Sequence, residues 1–193
     1  MSERAAVGGV RSRASLAMDR YADGDPAAFP VVYDELQPRL LRYLRRLTKR
    51  TAVAEDLLQQ TFLQMHTARG RFLRGAAVEP WAYAVARRLF LGWHRRAWRE
   101  VPADEHVEPA ARASDAESDL IVKELAEALE NELDALSPKV REAFILVRTE
   151  GLSLVEAAEV LGTTVAAVKL RAHRGGIALR EFASQQLSGK EPK

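Results

Sequence analysis

Apolar residues recur at helical spacing in two long stretches of the chain and alternate strictly in neither. That pattern predicts helices and gives only weak strand signals. Leu40, Leu41, Leu44 and Leu47 share one stripe, and Arg39, Arg42, Arg45 and Arg46 cover much of the remainder. Pro38 is expected in the first turn of that helix, where a missing N–H costs little. Val53, Leu57, Leu58, Thr61, Phe62 and Met65 form a second stripe, with Glu55, Asp56, Gln59 and Gln60 on the other side. Glu79-Pro80-Trp81 opens a third long helix, again with proline near its start.

The second stretch carries clearer punctuation. Ile121, Leu125, Leu129 and Leu136 make an apolar stripe set against Glu124, Glu127, Glu130 and Asp134. Ser137-Pro138 reads as an N-cap and a first-turn proline, and Gly151 as the stop of the buried helix between them. Ser153-Leu154-Val155-Glu156 has the form of a capping box, and Gly162 breaks the chain about two turns later. Thr163 or Thr164 then caps a cation-rich helix. A short helix, a tight glycine turn and a second basic helix make a helix-turn-helix layout. Ala157 and Ala158 permit close approach, and Leu161, Val165 and Val168 are expected inside. Thr164, Ala167, Lys169, Arg171 and Arg174 are left for the outer face, where such a helix meets the major groove and its phosphates.

The chain has 193 residues, 47% of them hydrophobic and 29% charged, a globular composition. The net charge of +2 hides a strong asymmetry. Residues 26–99 carry fourteen basic and five acidic side chains, whereas residues 100–136 carry two and twelve. A basic first half suits a polyanion. The whole reads as all-α: two small helical domains joined by a flexible acidic linker, the second a helix-turn-helix domain. The expected divisions are a disordered tail over 1–18, a helical domain over 19–100, a linker over 101–118, a second domain over 119–187 and a tail over 188–193. Without cysteine there are no disulfides and no thiolate chemistry. No apolar run approaches a membrane span and no signal peptide is evident, so a cytoplasmic protein is expected.

Residues 81–99 interleave Trp81, Tyr83, Phe90, Trp93 and Trp98 with Arg87, Arg88, His94, Arg95, Arg96 and Arg99. Rings that stack on bases and arginines that follow phosphates suit single-stranded nucleic acid, although the same rings also serve as core residues. The preceding loop, from Gly70 to Glu79, is long enough to rim a pocket for an extruded base. No glycine-rich phosphate loop follows a strand, and His66, His94, His106 and His173 lack metal-ligand spacing. An enzyme is therefore not expected, nor is a metal, cofactor or small-molecule substrate.

In its ordered segments the chain resembles the sigma-70 family of bacterial initiation factors, specifically the small extracytoplasmic-function (ECF) group. Phe29 to Tyr33 and Pro38-Arg39-Leu40-Leu41-Arg42-Tyr43-Leu44 are similar to the opening of the first sigma domain. Ala54-Glu55-Asp56-Leu57-Leu58-Gln59 with Thr61-Phe62 resembles the polymerase-binding motif, and Pro80-Trp81-Ala82-Tyr83 with Ala86-Arg87 the promoter-melting region. Leu136-Ser137-Pro138, Glu142-Ala143-Phe144, Glu150-Gly151-Leu152-Ser153, Glu156-Ala157-Ala158, Leu161-Gly162 and Val168-Lys169 resemble the C-terminal helix-turn-helix domain.

This resemblance implies a factor that binds core RNA polymerase, through its β′ and β subunits, and directs it to promoter DNA. Glu55, Asp56, Leu57, Gln59, Gln60 and Phe62 would meet the polymerase. Arg71, Arg74, Trp81, Tyr83, Arg87, Arg88, His94 and Arg95 would serve the −10 element. Thr163, Thr164, Ala167, Lys169, Leu170, Arg171 and Arg174 would serve the −35 element. An anti-sigma protein is the expected regulator. Glu105, Glu108, Asp115, Glu117 and Asp119 would imitate nucleic-acid charge where the linker threads the polymerase.

Three departures stand out. Arg88 replaces the usual asparagine, Ala167 and Leu170 replace small polar residues, and Gly175-Gly176 follows His173-Arg174. The two glycines predict a kinked or shortened recognition helix. The alternative is a sigma-like or helix-turn-helix regulator that does not itself support initiation.

Overall fold

The computed structural model describes residues 11–100 and 120–188, with backbone alone at 98–100, 120–127 and 187–188. The linker and its acidic residues lie outside the described residues. Every regular element among those described is helical, and the chain divides into two compact units, Met1–Val107 and Glu108–Lys193.

Unit 1 holds α1 (Arg13–Ala22), α2 (Phe29–Thr48), α3 (Thr51–Ala68) and α4 (Val78–Glu100). Its core is built where the sequence stripes meet: Leu36, Leu40 and Leu44 of α2, Ala54, Leu58 and Met65 of α3, and Val78, Ala82 and Ala86 of α4 are buried. Tyr43 and Tyr83 meet edge to face at 5.2 Å in the middle of it, both fully buried.

Two expectations are corrected here. Residues 11–18, expected in a disordered tail, are ordered, and α1 starts within them. Ser12 caps α1 by accepting the Ser15 N–H at 3.0 Å, and Ala14, Ser15, Ala17 and Met18 are buried. Pro38 does not open its helix. α2 begins nine residues earlier with Pro30 in its first turn, and Pro38 sits inside the helix on an exposed position. Its missing N–H withdraws one helical hydrogen bond on the solvent side.

Unit 2 holds α5 (Leu120–Ala135), α6 (Pro138–Phe144), a π turn (Ile145–Thr149), α7 (Leu154–Leu161) and α8 (Val165–Ser188). Ser137 takes the N-cap position of α6 but its side chain makes no capping bond. The Arg141 guanidinium instead donates to the Asp134 and Leu136 carbonyls at 2.8 and 3.2 Å, closing the end of α5. Ala143, Ile145, Leu146, Leu152, Ala157, Val160, Val168 and Ala172 form the core. Val165, expected inside, is 41% exposed.

The expected break at Gly175-Gly176 is absent, since α8 runs without interruption over 24 residues. A Cβ built on Gly175 would lie 3.0 Å from the Cβ of Phe144 and 3.1 Å from its ring. Glycine therefore serves close approach of α6 to α8, and that packing overrides its low helix propensity.

Candidate polymerase- and nucleic-acid-binding surfaces

The solvent side of α3 presents Glu55, Asp56, Gln59 and Gln60 together, as their spacing requires. Glu55 is partly engaged within the chain, accepting from Arg45 Nη2 at 3.0 Å. Leu57 and Phe62 are corrections: they are 2% and 5% exposed, so Leu57 packs into the core and Phe62 reaches the surface only at the edge of a depression. Both belong to the apolar stripe that runs beside the polar face. Sequence reading missed Leu63, which is 64% exposed beside Gln59 and Gln60. The signal was available, because Leu63 is an apolar residue out of phase with the buried stripe. Beside it lies an open apolar depression of about 470 Å³ rimmed by Tyr21, Phe29, Phe62, Leu63 and His66.

The residues expected at the −10 element divide into three sets. Arg71, Arg74, Arg88, His94 and Arg95 are exposed. Trp81 and Arg87 are half-buried, with the Trp81 ring 5.3 Å from that of Phe72. Tyr83 is a correction: it falls in phase with Ala82 and Ala86 and lies wholly in the core, so its ring is not offered to a base. Further along α4, the His94 ring stacks on Phe90 at 5.6 Å, and Trp93 lies 6.2 Å from Phe90. Three aromatic rings thus sit beside Arg95 and Arg96 on accessible surface, the combination that binds unpaired bases.

Arg74 is exposed, but each of the three nitrogens of its guanidinium makes a hydrogen bond within the chain. It donates to Asp23 Oδ1 at 2.8 Å, to the Phe72 carbonyl at 2.7 Å and to the Ala22 carbonyl at 2.6 Å.

In unit 2 the helix-turn-helix forms from local chemistry. The Glu156 N–H donates to Ser153 Oγ at 3.2 Å, and the Ser153 N–H donates to Glu156 Oε2 at 2.8 Å, completing the capping box. Gly162 takes φ 61°, and the Thr163 N–H returns to the Ala158 carbonyl at 3.0 Å. That left-handed turn favours glycine. Thr164 then caps α8, accepting the Ala167 N–H at 3.2 Å. Beyond the cap, α8 presents Lys169, Leu170, His173 and Arg174 to solvent, while Thr163, Ala167 and Arg171 are half-buried. Leu170 is 51% exposed and Ile177 37%, one helical face apart by two turns. Exposed apolar side chains on such a helix suit thymine methyl groups.

Among the described residues no group of histidine and carboxylate side chains is arranged to hold a metal ion, and no helix is long and apolar enough to cross a membrane.

Comparison with known proteins gives a consistent result. The family model for Sigma-70 region 2 matches residues 32–100, and that for Sigma-70, region 4 matches residues 126–176. The chain is 34% identical over 171 residues to the RNA polymerase sigma factor CarQ of Myxococcus xanthus, spanning 87% of this chain and 96% of that one. It is 35% identical over 175 residues to the ECF RNA polymerase sigma factor SigF of Caulobacter vibrioides, spanning 89% and 94%. Among solved structures, the sigma factor RpoE in complex with the anti-sigma factor NepR from Bartonella quintana superposes with a TM-score of 0.69 at 26% identity. That match covers 81% of this chain and 96% of the other.

Proposed function

The chain belongs to the ECF group of the sigma-70 family of transcription initiation factors, and from that membership we propose how its two units share promoter recognition. Unit 1 binds core RNA polymerase through the outer face of α3. Asp56, Gln59 and Gln60 supply charge-assisted and amide hydrogen bonds to a basic partner helix of the β′ subunit, and Leu63 supplies apolar contact. The β subunit is the second surface to be met. The α4 face bearing Arg88, His94 and Arg95, with Arg71 and Trp81 beside it, engages the −10 element as its strands separate. Unit 2 reads the −35 element as duplex with the exposed side of α8: Lys169, Arg171 and Arg174 on phosphates and base edges, and Leu170 on methyl groups.

The observation that carries this reading is that the two family matches fall in chain order, one inside each compact unit. An anti-sigma protein that covers the α3 face fits as regulator. RNA synthesis stays with the polymerase, so no catalytic step is assigned to this chain. A cytoplasmic site of action fits a partner such as core RNA polymerase.

Reconstituted transcription tests the proposal. Purified protein is added to core polymerase with a library of promoter fragments. Protein-dependent start sites that share −35 and −10 motifs are expected. Tight binding to core without initiation would contradict the reading in favour of a regulator that does not initiate.

A further inference from the structure

We propose that α1 is a brace that sets the shape of the Phe72–Ala77 loop, and that Arg74 is a positioning residue of that loop rather than a contact to DNA. The proposal rests on the reading above, in which this loop lies beside the −10 surface.

The contacts that reach the loop and the start of α4 cross more than fifty residues of sequence. Arg11 Nη1 donates to Asp19 Oδ2 at 2.7 Å, and Arg11 Nη2 reaches the Ala76 carbonyl at 3.1 Å. The other oxygen of Asp19 accepts the Gly75 N–H at 3.2 Å. Arg74 closes the far side through Asp23 and the Ala22 carbonyl. Buried Ser15 accepts the Val78 N–H at 3.0 Å and donates to Glu79 Oε2 at 3.1 Å, tying the start of α4 to the same helix. The backbone groups of Gly75 and Ala76 in the loop and of Val78 at the start of α4 are thus served by side chains of α1 or of Arg11 just before it. A loop with so many directional bonds has one shape.

The result is visible in what the loop displays. Phe72 is buried against Trp81 and Arg74 is bonded to the end of α1. Leu73 between them is held outward at 70% exposure. An apolar side chain fixed outward beside Arg71 gives an extruded base one surface to fit. A loose loop would fit several bases equally well, so the brace contributes selectivity rather than affinity. The family match begins at residue 32, so α1 lies upstream of it.

The test uses the full chain with core polymerase and a promoter library randomised across the −10 element at constant −35 sequence. Asp19→Ala is expected to narrow discrimination at one or two −10 positions about tenfold, the size of one base preference, with core affinity and −35 preference unchanged. Asp19→Asn retains an acceptor for the Gly75 N–H and is expected to keep most of that discrimination. Arg74→Lys keeps the charge but loses the planar fork that reaches three acceptors, so it is expected to behave like Arg74→Ala. Wild-type discrimination in Arg74→Lys, with a reduced salt slope in Arg74→Ala, would overturn the positioning role and make Arg74 a phosphate contact. An unchanged −10 profile in folded Asp19→Ala would overturn the brace. A wild-type protein that initiates without any −10 preference would instead overturn the assignment of this surface to DNA.

Discussion

The two units hold the elements proposed to face DNA by different means. In unit 2 the proposed reader is a helix, and packing fixes it: Val168 and Ala172 are buried, and Gly175 lets Phe144 lie directly on the α8 backbone. In unit 1 part of the proposed reader is a loop, which buries Phe72 alone at its start. Its remainder is fixed by polar bonds to Asp19 of α1 and to Arg11 and Asp23, which flank that helix. Packing tolerates salt and acid but not added volume. Charged hydrogen bonds behave the other way, so the two units should fail under different perturbations.

The largest effect tests the core of unit 1. Tyr83→Ala removes a fully buried ring and should destabilise unit 1 by about 3–5 kcal/mol. Denaturation monitored separately for the two units should show the transition of unit 2 unmoved. A DNA-facing tyrosine would leave stability intact and weaken promoter binding instead. In unit 2, Gly175→Val should cost about 1–3 kcal/mol through overpacking against Phe144. Gly176 sharpens the contrast, because a Cβ there meets Phe144 at 3.8 Å, an ordinary contact. Gly176→Ala should therefore stabilise unit 2 by about 0.5–1 kcal/mol.

Removing the cap with Ser153→Ala should cost unit 2 about 1 kcal/mol, read from the same curves. Acid supplies a milder probe of unit 1. Burial pushes the Asp19 carboxyl up, but the Arg11 hydrogen bond, the Gly75 N–H and the charges of Arg11 and Arg74 outweigh it and hold its pKa below the usual 3.8. The folded value is depressed, so this stabilisation is complete above the unfolded value and is lost as pH falls through the folded one. Asp19→Asn should flatten that part of the acid dependence of unit 1 and leave unit 2 as it was.

Much of this was legible in the sequence. The leucine stripes of α2, the capping box at Ser153 and the turn at Gly162 each state their structure locally, and the ordered motifs state the family. What escaped reading depended on contacts distant in sequence. α1 buries Ala14, Ser15 and Ala17 alongside Met18 and Tyr21, so it shows small residues where a helix usually shows leucines. The glycine pair reads as a break by propensity, because nothing near it in sequence announces Phe144 above it. Tyr83 shares a helix with the exposed cations, yet its phase with Ala82 and Ala86 puts it in the core. Leu57 and Phe62 sit inside a motif whose polar members face outward, and a motif does not record which side each residue takes. Arg74 looks like any loop arginine until Ala22 and Asp23 are placed beside it.

Residue-resolved amide hydrogen exchange on the full chain, compared with Asp19→Ala, tests the contrast most directly. The expected result is protection at Gly75 that Asp19→Ala abolishes, together with protection continuous through Gly175 and Gly176 that the substitution leaves unchanged. Exchange at Gly75 as fast as in an unstructured peptide, or a break in protection at Gly175 and Gly176, would contradict it.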